Sequence, residues 1–307
     1  MDIIILLFGF SIGLVLLVKG ADEMVSSAIQ IALKFKLPSS IVGATFIGFG
    51  TSAPELFAST RAALKGDLDL GIGNIVGSNI ANSLLVVAVL YLALPKDYSK
   101  KINLNKISPT WMAILTTIFV STYLLTNKFP FLLGIALLVL VLYVIYKMIS
   151  SESDDEEGLM EEEKSYIWLR GGMSLVATLY GSQLVVENAV EIASIFGVSS
   201  LVIGSTIIAI GTSLPEVAGT ISAAKMRKPD IVFGNIFGSN LFNIGLVGGA
   251  AIMISPGEIS SAIDYQLFIM YFVSFVVIFL SRNIIKRNEI LGYVFIALYV
   301  LFLISLF

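Results

Sequence analysis

The sequence predicts an all-α polytopic membrane protein: ten transmembrane helices forming two inverted five-helix repeats with interrupted core helices. Three observations predict it. The 307 residues are 57% hydrophobic and only 13% charged, with a mean hydropathy of +0.93. Soluble domains carry about 25% charged residues, so much of this surface must be solvated by lipid. Charged and Pro/Gly-rich breaks then divide the chain into ten apolar segments, each close to the length a bilayer requires. Finally, the chain matches itself at a fixed offset, with an odd number of spans in each copy.

The ten predicted spans are 3–33, 40–64, 70–94, 107–126, 130–149, 166–195, 201–225, 231–254, 264–282 and 288–307. The first, containing Ile3 to Val18, lacks a basic leader and an obvious small-residue cleavage site, and reads as a retained helix rather than a signal peptide. Loops after odd-numbered spans hold 15 Lys/Arg, and loops after even-numbered spans hold 3. The positive-inside rule therefore puts both termini outside the cell membrane. The same rule makes the acidic stretch 150–165 a cytoplasmic linker between halves 1–149 and 166–307. That linker has no EF-hand pattern with its central Gly and reads as a solvated connection.

Sliding the chain by 161 residues aligns 43–86 with 204–247 without a gap, 20 of the 44 positions being identical. The register continues upstream, pairing Gly20 with Gly181, Ala28 with Ala189 and Phe35 with Phe196. Five spans per half mean that the second copy enters the membrane from the opposite side. This is the layout of secondary transporters, whose sites lie at the midplane on interrupted helices.

Both copies place Gly-Thr-Ser-x-Pro-Glu within an apolar span, at Gly50 to Glu55 and Gly211 to Glu216. An ionised carboxylate at that depth costs about 2.5–3.5 kcal/mol or more and is retained for function or pairing. Neither motif offers a Lys or Arg at the same depth, so a bound cation is the natural partner. The proline lacks an N–H and clashes with the carbonyl four residues back, which predicts a helix break around Gly-Thr-Ser and carbonyls turned toward the site. Thr51, Ser52, Thr212 and Ser213 add hydroxyls. Carboxylate, carbonyl and hydroxyl oxygens form a hard donor set suited to calcium and sodium.

The next span in each half repeats Gly-Asn-x-x-Gly-Ser-Asn, at Gly73 to Asn79 and Gly234 to Asn240. At helical spacing Asn74, Ser78 and Asn82 share one stripe, and Asn235, Ser239 and Asn243 share its counterpart. Ser78, Ser239, Asn82 and Asn243 are predicted to face the ion directly or through water. A packing role is expected for Asn74, Asn79, Asn235 and Asn240. Gly73, Gly77 and Ala81 form a small-residue stripe that would admit a neighbouring helix. Asp22, Glu23, Glu187 and Glu191 fit either an aqueous approach or a wet helix face. Asp69 and Asp230 fall at span ends and suit solvation or capping.

At these paired motifs the chain resembles the cation/calcium exchanger superfamily, and within it the archaeal and bacterial sodium/calcium exchangers. The resemblance covers essentially the whole chain. It implies a calcium site made by Glu55, Glu216 and the backbone of Thr51 and Thr212. The implied sodium sites share those glutamates and add Ser52, Ser78, Ser213, Ser239 and carbonyls near Gly48 and Ala209. It also implies exchange of more than two sodium ions per calcium, by a carrier with no prosthetic group. Asn243 stands where many prokaryotic relatives and the potassium-dependent exchangers have Asp; Asn there resembles the potassium-independent animal exchangers, which argues against potassium co-transport.

The runner-up reading is a proton/calcium or other divalent antiporter on the same fold. From another class, a cation channel could share oxygen-lined helices, but the repeat argues against it. An intramembrane hydrolase lacks a base, because the chain has no His and no Cys. That absence also excludes disulfides, thiolate metal sites and histidine proton relays. At a net charge of -3 nothing suggests a nucleic-acid partner. Calcium, sodium and the lipid bilayer are the expected partners of a chain read as a monomer.

Overall fold

Apolar runs of this length can satisfy their backbone in lipid only as helices or closed barrels, and this chain takes the first route. The computed structural model describes residues 3–101, 104–150, 166–197 and 211–306. Its helices are α1 (Ile3–Phe35), α2 (Ser39–Thr51), α3 (Ala53–Leu64), α4 (Leu68–Ala93), α5 (Ile107–Thr126), α6 (Phe131–Ile149), α7 (Ile167–Ile195), α8 (Leu214–Lys225), α9 (Pro229–Ile254), α10 (Asp264–Ser281) and α11 (Glu289–Ile304). Six of them are long and apolar enough to cross a membrane among the described residues, or seven spans if α2 and α3 count as one bent at 45°. The first part of the predicted span 201–225 and most of the acidic linker lie outside the described residues.

Local chemistry sets most helix boundaries. Asp67 accepts a hydrogen bond from Leu70 N–H at 3.0 Å to cap α4, and Asn288 does the same for α11 through Leu291. The N-cap of α4 is thus Asp67, whereas Asp69, suggested by the sequence, reaches across to accept from Ser260 N–H at 2.7 Å. Pro229 opens α9 at a position where its missing N–H costs nothing.

Among the described residues, left-handed residues follow five of the helices: Asn127 (φ 53) after α5, and Lys36 (φ 51), Gly66 (φ 78), Gly197 (φ 75) and Arg227 (φ 59). The last four are repeat-equivalent pairs, Lys36 with Gly197 and Gly66 with Arg227, with Gly supplied once in each pair. An L-residue there costs about 1–2 kcal/mol relative to its preferred conformations. Lys36→Gly is therefore expected to stabilise the protein by about 1 kcal/mol, read as a higher midpoint of thermal unfolding in detergent. An unchanged or lower midpoint would mean that the Lys36 side chain offsets its strain.

The all-α expectation needs correction in the loops, where four short strands form two antiparallel ribbons. β1 (Ser99–Lys101) pairs with β4 (Ile284–Lys286), and β2 (Lys128–Phe129) pairs with β3 (Gly257–Glu258). Each strand has only two or three residues, and its partner lies far along the chain. No local pattern could announce it. Beside the first ribbon Arg227 donates to Asp97 at 2.6 Å and holds that exposed carboxyl below its usual range. Its contribution is present above the ordinary carboxylate pKa and is lost as pH falls through the lowered one.

The core is built by close helix contacts. α2 lies against α9 almost backbone to backbone: a Cβ placed on Gly234 would come 2.2 Å from Ser40 O, and one on Gly238 would come 2.4 Å from Ala44 O. The first-half stripe does not behave as expected. Gly73 and Gly77 meet no described atom within 4 Å and instead line a cavity. Of the two Gly-Asn-x-x-Gly-Ser-Asn motifs, the tightly packed one is that of the second copy.

Candidate ion-binding site

The α2–α3 bend falls where the sequence placed it. Ser52 takes φ -82 and ψ 0 between the two helices, and Pro54 follows in the first turn of α3. The break is softer than expected, because Ser52 N–H still reaches Gly48 O at 3.2 Å. Preceding it, Gly43–Gly48 forms a π-helical stretch. Further π segments, Asn82–Val86 and Asn243–Gly248, start at repeat-equivalent positions of α4 and α9. Such insertions recur at functional sites because they unsettle the regular backbone ladder. The hydropathy pattern carried no trace of them.

These distortions bring the two motifs together. Glu55 and Glu216 are 4% and 2% exposed, each in the first turn after its proline-marked break. The two carboxylates are close enough to repel each other. Ser78 Oγ donates to Glu55 Oε1 at 3.4 Å, and Thr51 Oγ1 lies 3.4 Å from Ser239 Oγ. Both contacts are longer than an ordinary O–H···O bond of about 2.7–2.8 Å. Neither carboxylate has an ion-pair partner among the described residues.

Four oxygens from the predicted ligand set are buried without a hydrogen-bond partner: Ser52 Oγ, Glu55 Oε2, Glu216 Oε2 and Asn243 Oδ1. A buried unpaired polar atom costs about 1–3 kcal/mol, more when charged. Structures rarely keep several together without a purpose. Beside them lies a cavity of about 230 Å³, lined by Asn74, Gly77, Ser78, Thr212, Ser213 and Gln266 among others. Thr212 is exposed, while its equivalent Thr51 is fully buried. The two copies thus differ in how open their motifs are.

Several predicted positions do something more specific than expected. The Gly48 carbonyl, proposed as a sodium ligand, also accepts from Ser239 Oγ at 3.3 Å. Ala209, its counterpart, lies outside the described residues. Asn74 donates to Ser59 Oγ at 2.9 Å while also lining the cavity, and Asn235 accepts from Ser239 at 3.3 Å. Asn82 and Asn243 each direct their amide N–H to the other half, to Asn240 Oδ1 at 3.1 Å and Asn79 Oδ1 at 3.0 Å. Glu23 pairs with Arg170 across α1 and α7, an interaction that neither an aqueous approach nor a wet helix face predicts. Arg170 falls within the predicted span 166–195, and only the packing of the two long helices puts it beside Glu23.

Comparisons with known proteins point to one family. CaxA of Alkalimonas amylolytica, whose designation is that of an antiporter, is 38% identical over 82% of this chain and 81% of its own length. The sodium/calcium exchanger MaX1 of Methanosarcina acetivorans is 30% identical over 96% of this chain and 97% of its own. A solved structure of the sodium-calcium exchanger NCX_Mj superposes with a TM-score of 0.83 at 27% identity, covering 99% of this chain and all of that one. The sodium/calcium exchanger protein family matches residues 5–151 and 166–307. With the family spanning both halves and both copies of the motif, this chain belongs to the sodium/calcium exchangers.

Proposed function

We propose that the protein exchanges sodium for calcium across the cell membrane by alternating access at one site shared between Glu55 and Glu216. Family and fold support cation/calcium exchange. The observation that carries the finer reading is the pair of buried carboxylates, one from each copy, each keeping an unpartnered Oε2. Thr51, Ser52, Ser78, Ser239, Asn82, Asn243 and the Gly48 carbonyl supply neutral oxygens around them. Thr212, Ser213 and Ala209 complete the set on the second copy.

Charge balance explains why exchange is obligatory. Two carboxylates carry about two negative charges, which one Ca²⁺ or two Na⁺ neutralise. Competition for the same oxygens prevents both cargoes from being held at full occupancy. The empty site stays doubly charged, and moving it through a low-dielectric barrier incurs a desolvation penalty of several kcal/mol per ion. Only a loaded site then crosses readily.

Ten spans in two inverted halves, with both termini outside, form the scaffold in this reading. The contacts between loops support it. β1–β4, Arg227–Asp97 and Arg287–Leu94 join loops that follow odd-numbered spans. The β2–β3 ribbon and Ser260–Asp69 join loops that follow even-numbered ones. The equivalent left-handed caps and equivalent π segments also fit a doubled unit.

The decisive measurement compares driving forces in proteoliposomes. An outward sodium gradient is expected to drive ⁴⁵Ca²⁺ uptake, and a pH gradient at zero sodium to leave it at the level of protein-free vesicles. Uptake driven by the pH gradient alone would replace sodium with protons as the counter-ion.

A further inference from the structure

Asn79 and Asn240 have only a packing role in the sequence reading, yet they form the most connected polar group at the junction of the two halves. Asn79 Nδ2 donates to the backbone carbonyl of Asn240 at 3.4 Å, and Asn79 Oδ1 accepts from Asn243 Nδ2 at 3.0 Å. Asn240 Oδ1 accepts from Asn82 Nδ2 at 3.1 Å, while Asn240 Nδ2 donates to Ser83 Oγ at 3.2 Å. The bonds from Asn82 to Asn240 and from Asn243 to Asn79 are equivalent under the repeat. Asn79, Asn82, Asn240 and Asn243 are all at most 3% exposed.

The chemistry of this chain of bonds has a direction. An amide side chain presents an acceptor at one end and donors at the other, and a backbone carbonyl can only accept. The Asn240 carbonyl therefore requires the NH₂ end of Asn79, which leaves the Asn79 oxygen facing Asn243. That oxygen in turn requires the NH₂ end of Asn243, so Asn243 Oδ1 must point away from Asn79. In the structure this oxygen is buried and meets no hydrogen-bond partner. A free asparagine could turn its amide about and present hydrogens to a cation instead.

Resting on the ion-site reading above, we infer that Asn79 is a positioning residue. It fixes the orientation of the Asn243 amide so that the carbonyl oxygen, not the NH₂ group, faces the transported cation. It acts through a neighbour rather than by touching the ion, in the manner of outer-shell partners that orient metal ligands.

The test is a double-mutant cycle on the full chain in proteoliposomes, reading the calcium dependence of sodium-driven ⁴⁵Ca²⁺ uptake. Asn79→Leu fills the same space without an amide. It is expected to raise the calcium KM about tenfold, the low end of the effect of losing an outer-shell partner, with the maximal rate within about twofold of wild type. Asn243→Ala is expected to raise KM by a similar factor. The double variant should be no worse than Asn243→Ala alone, because Asn79 has nothing left to orient.

Equal additive losses in the double variant, or a wild-type KM for Asn79→Leu, would overturn the inference and leave Asn79 as packing. If Asn79→Leu yields no monodisperse protein, Asn79→Ser, too short to span both partners, takes its place with the same expected cycle. Failure of the site reading itself is distinguishable, because Glu55→Gln would then also transport normally.

Discussion

Glu55→Gln and Glu216→Gln are each expected to bring sodium-driven calcium exchange down to the level of protein-free vesicles. Glutamine keeps the shape of the side chain and one carbonyl oxygen, so the helices around these buried positions have little reason to rearrange. It removes one unit of negative charge from a site that must balance a divalent ion. At about 4 Å and an effective dielectric of about 20, one pair of unit charges is worth about 4 kcal/mol. A loss of that size corresponds to about 10³-fold weaker ion binding. Calcium titrations of uptake, with monodispersity checked by size-exclusion chromatography, measure it. Wild-type exchange by either variant would remove the carboxylate from the site.

The second large effect concerns one methyl group at two equivalent glycines. Gly238→Ala would set its Cβ 2.4 Å from Ala44 O and 2.5 Å from Ala44 Cα. Backbone atoms cannot turn aside as a side chain can, so α2 must move off α9. Overpacking of this kind costs about 1–3 kcal/mol, and the displaced helix carries Thr51 and precedes Ser52. Exchange should be almost abolished and the thermal midpoint lowered. Gly77→Ala, at the equivalent position of the first copy, meets no described atom within 4 Å and should change stability by no more than about 0.5 kcal/mol. Equal destabilisation by both substitutions would show that the two copies are packed alike.

This contrast also marks how far the chain could be read unaided. Gly77 and Gly238 occupy the same place in the same motif, and pattern alone assigned close packing to the first. The neighbour decides: Ala44 approaches one of them, whereas the other borders a cavity. Likewise, the paired glutamates were recognisable because a carboxylate in an apolar span is costly and rare. The asparagines beside them were recognisable only as polar residues. The direction of Asn79 and Asn243, NH₂ or carbonyl, depends on the backbone carbonyl of Asn240.

From the order of residues alone come the membrane solvent, the doubled motif, the positions of the helix breaks and the two acidic side chains. Each of these follows from chemistry within one span: hydropathy, a missing amide hydrogen or a charge with no local partner. Only the tertiary structure decided which oxygens meet, which are left without partners, which glycine is crowded and which loops pair. Those outcomes depend largely on distances between segments more than 100 residues apart along the chain, and no short-range regularity encodes them.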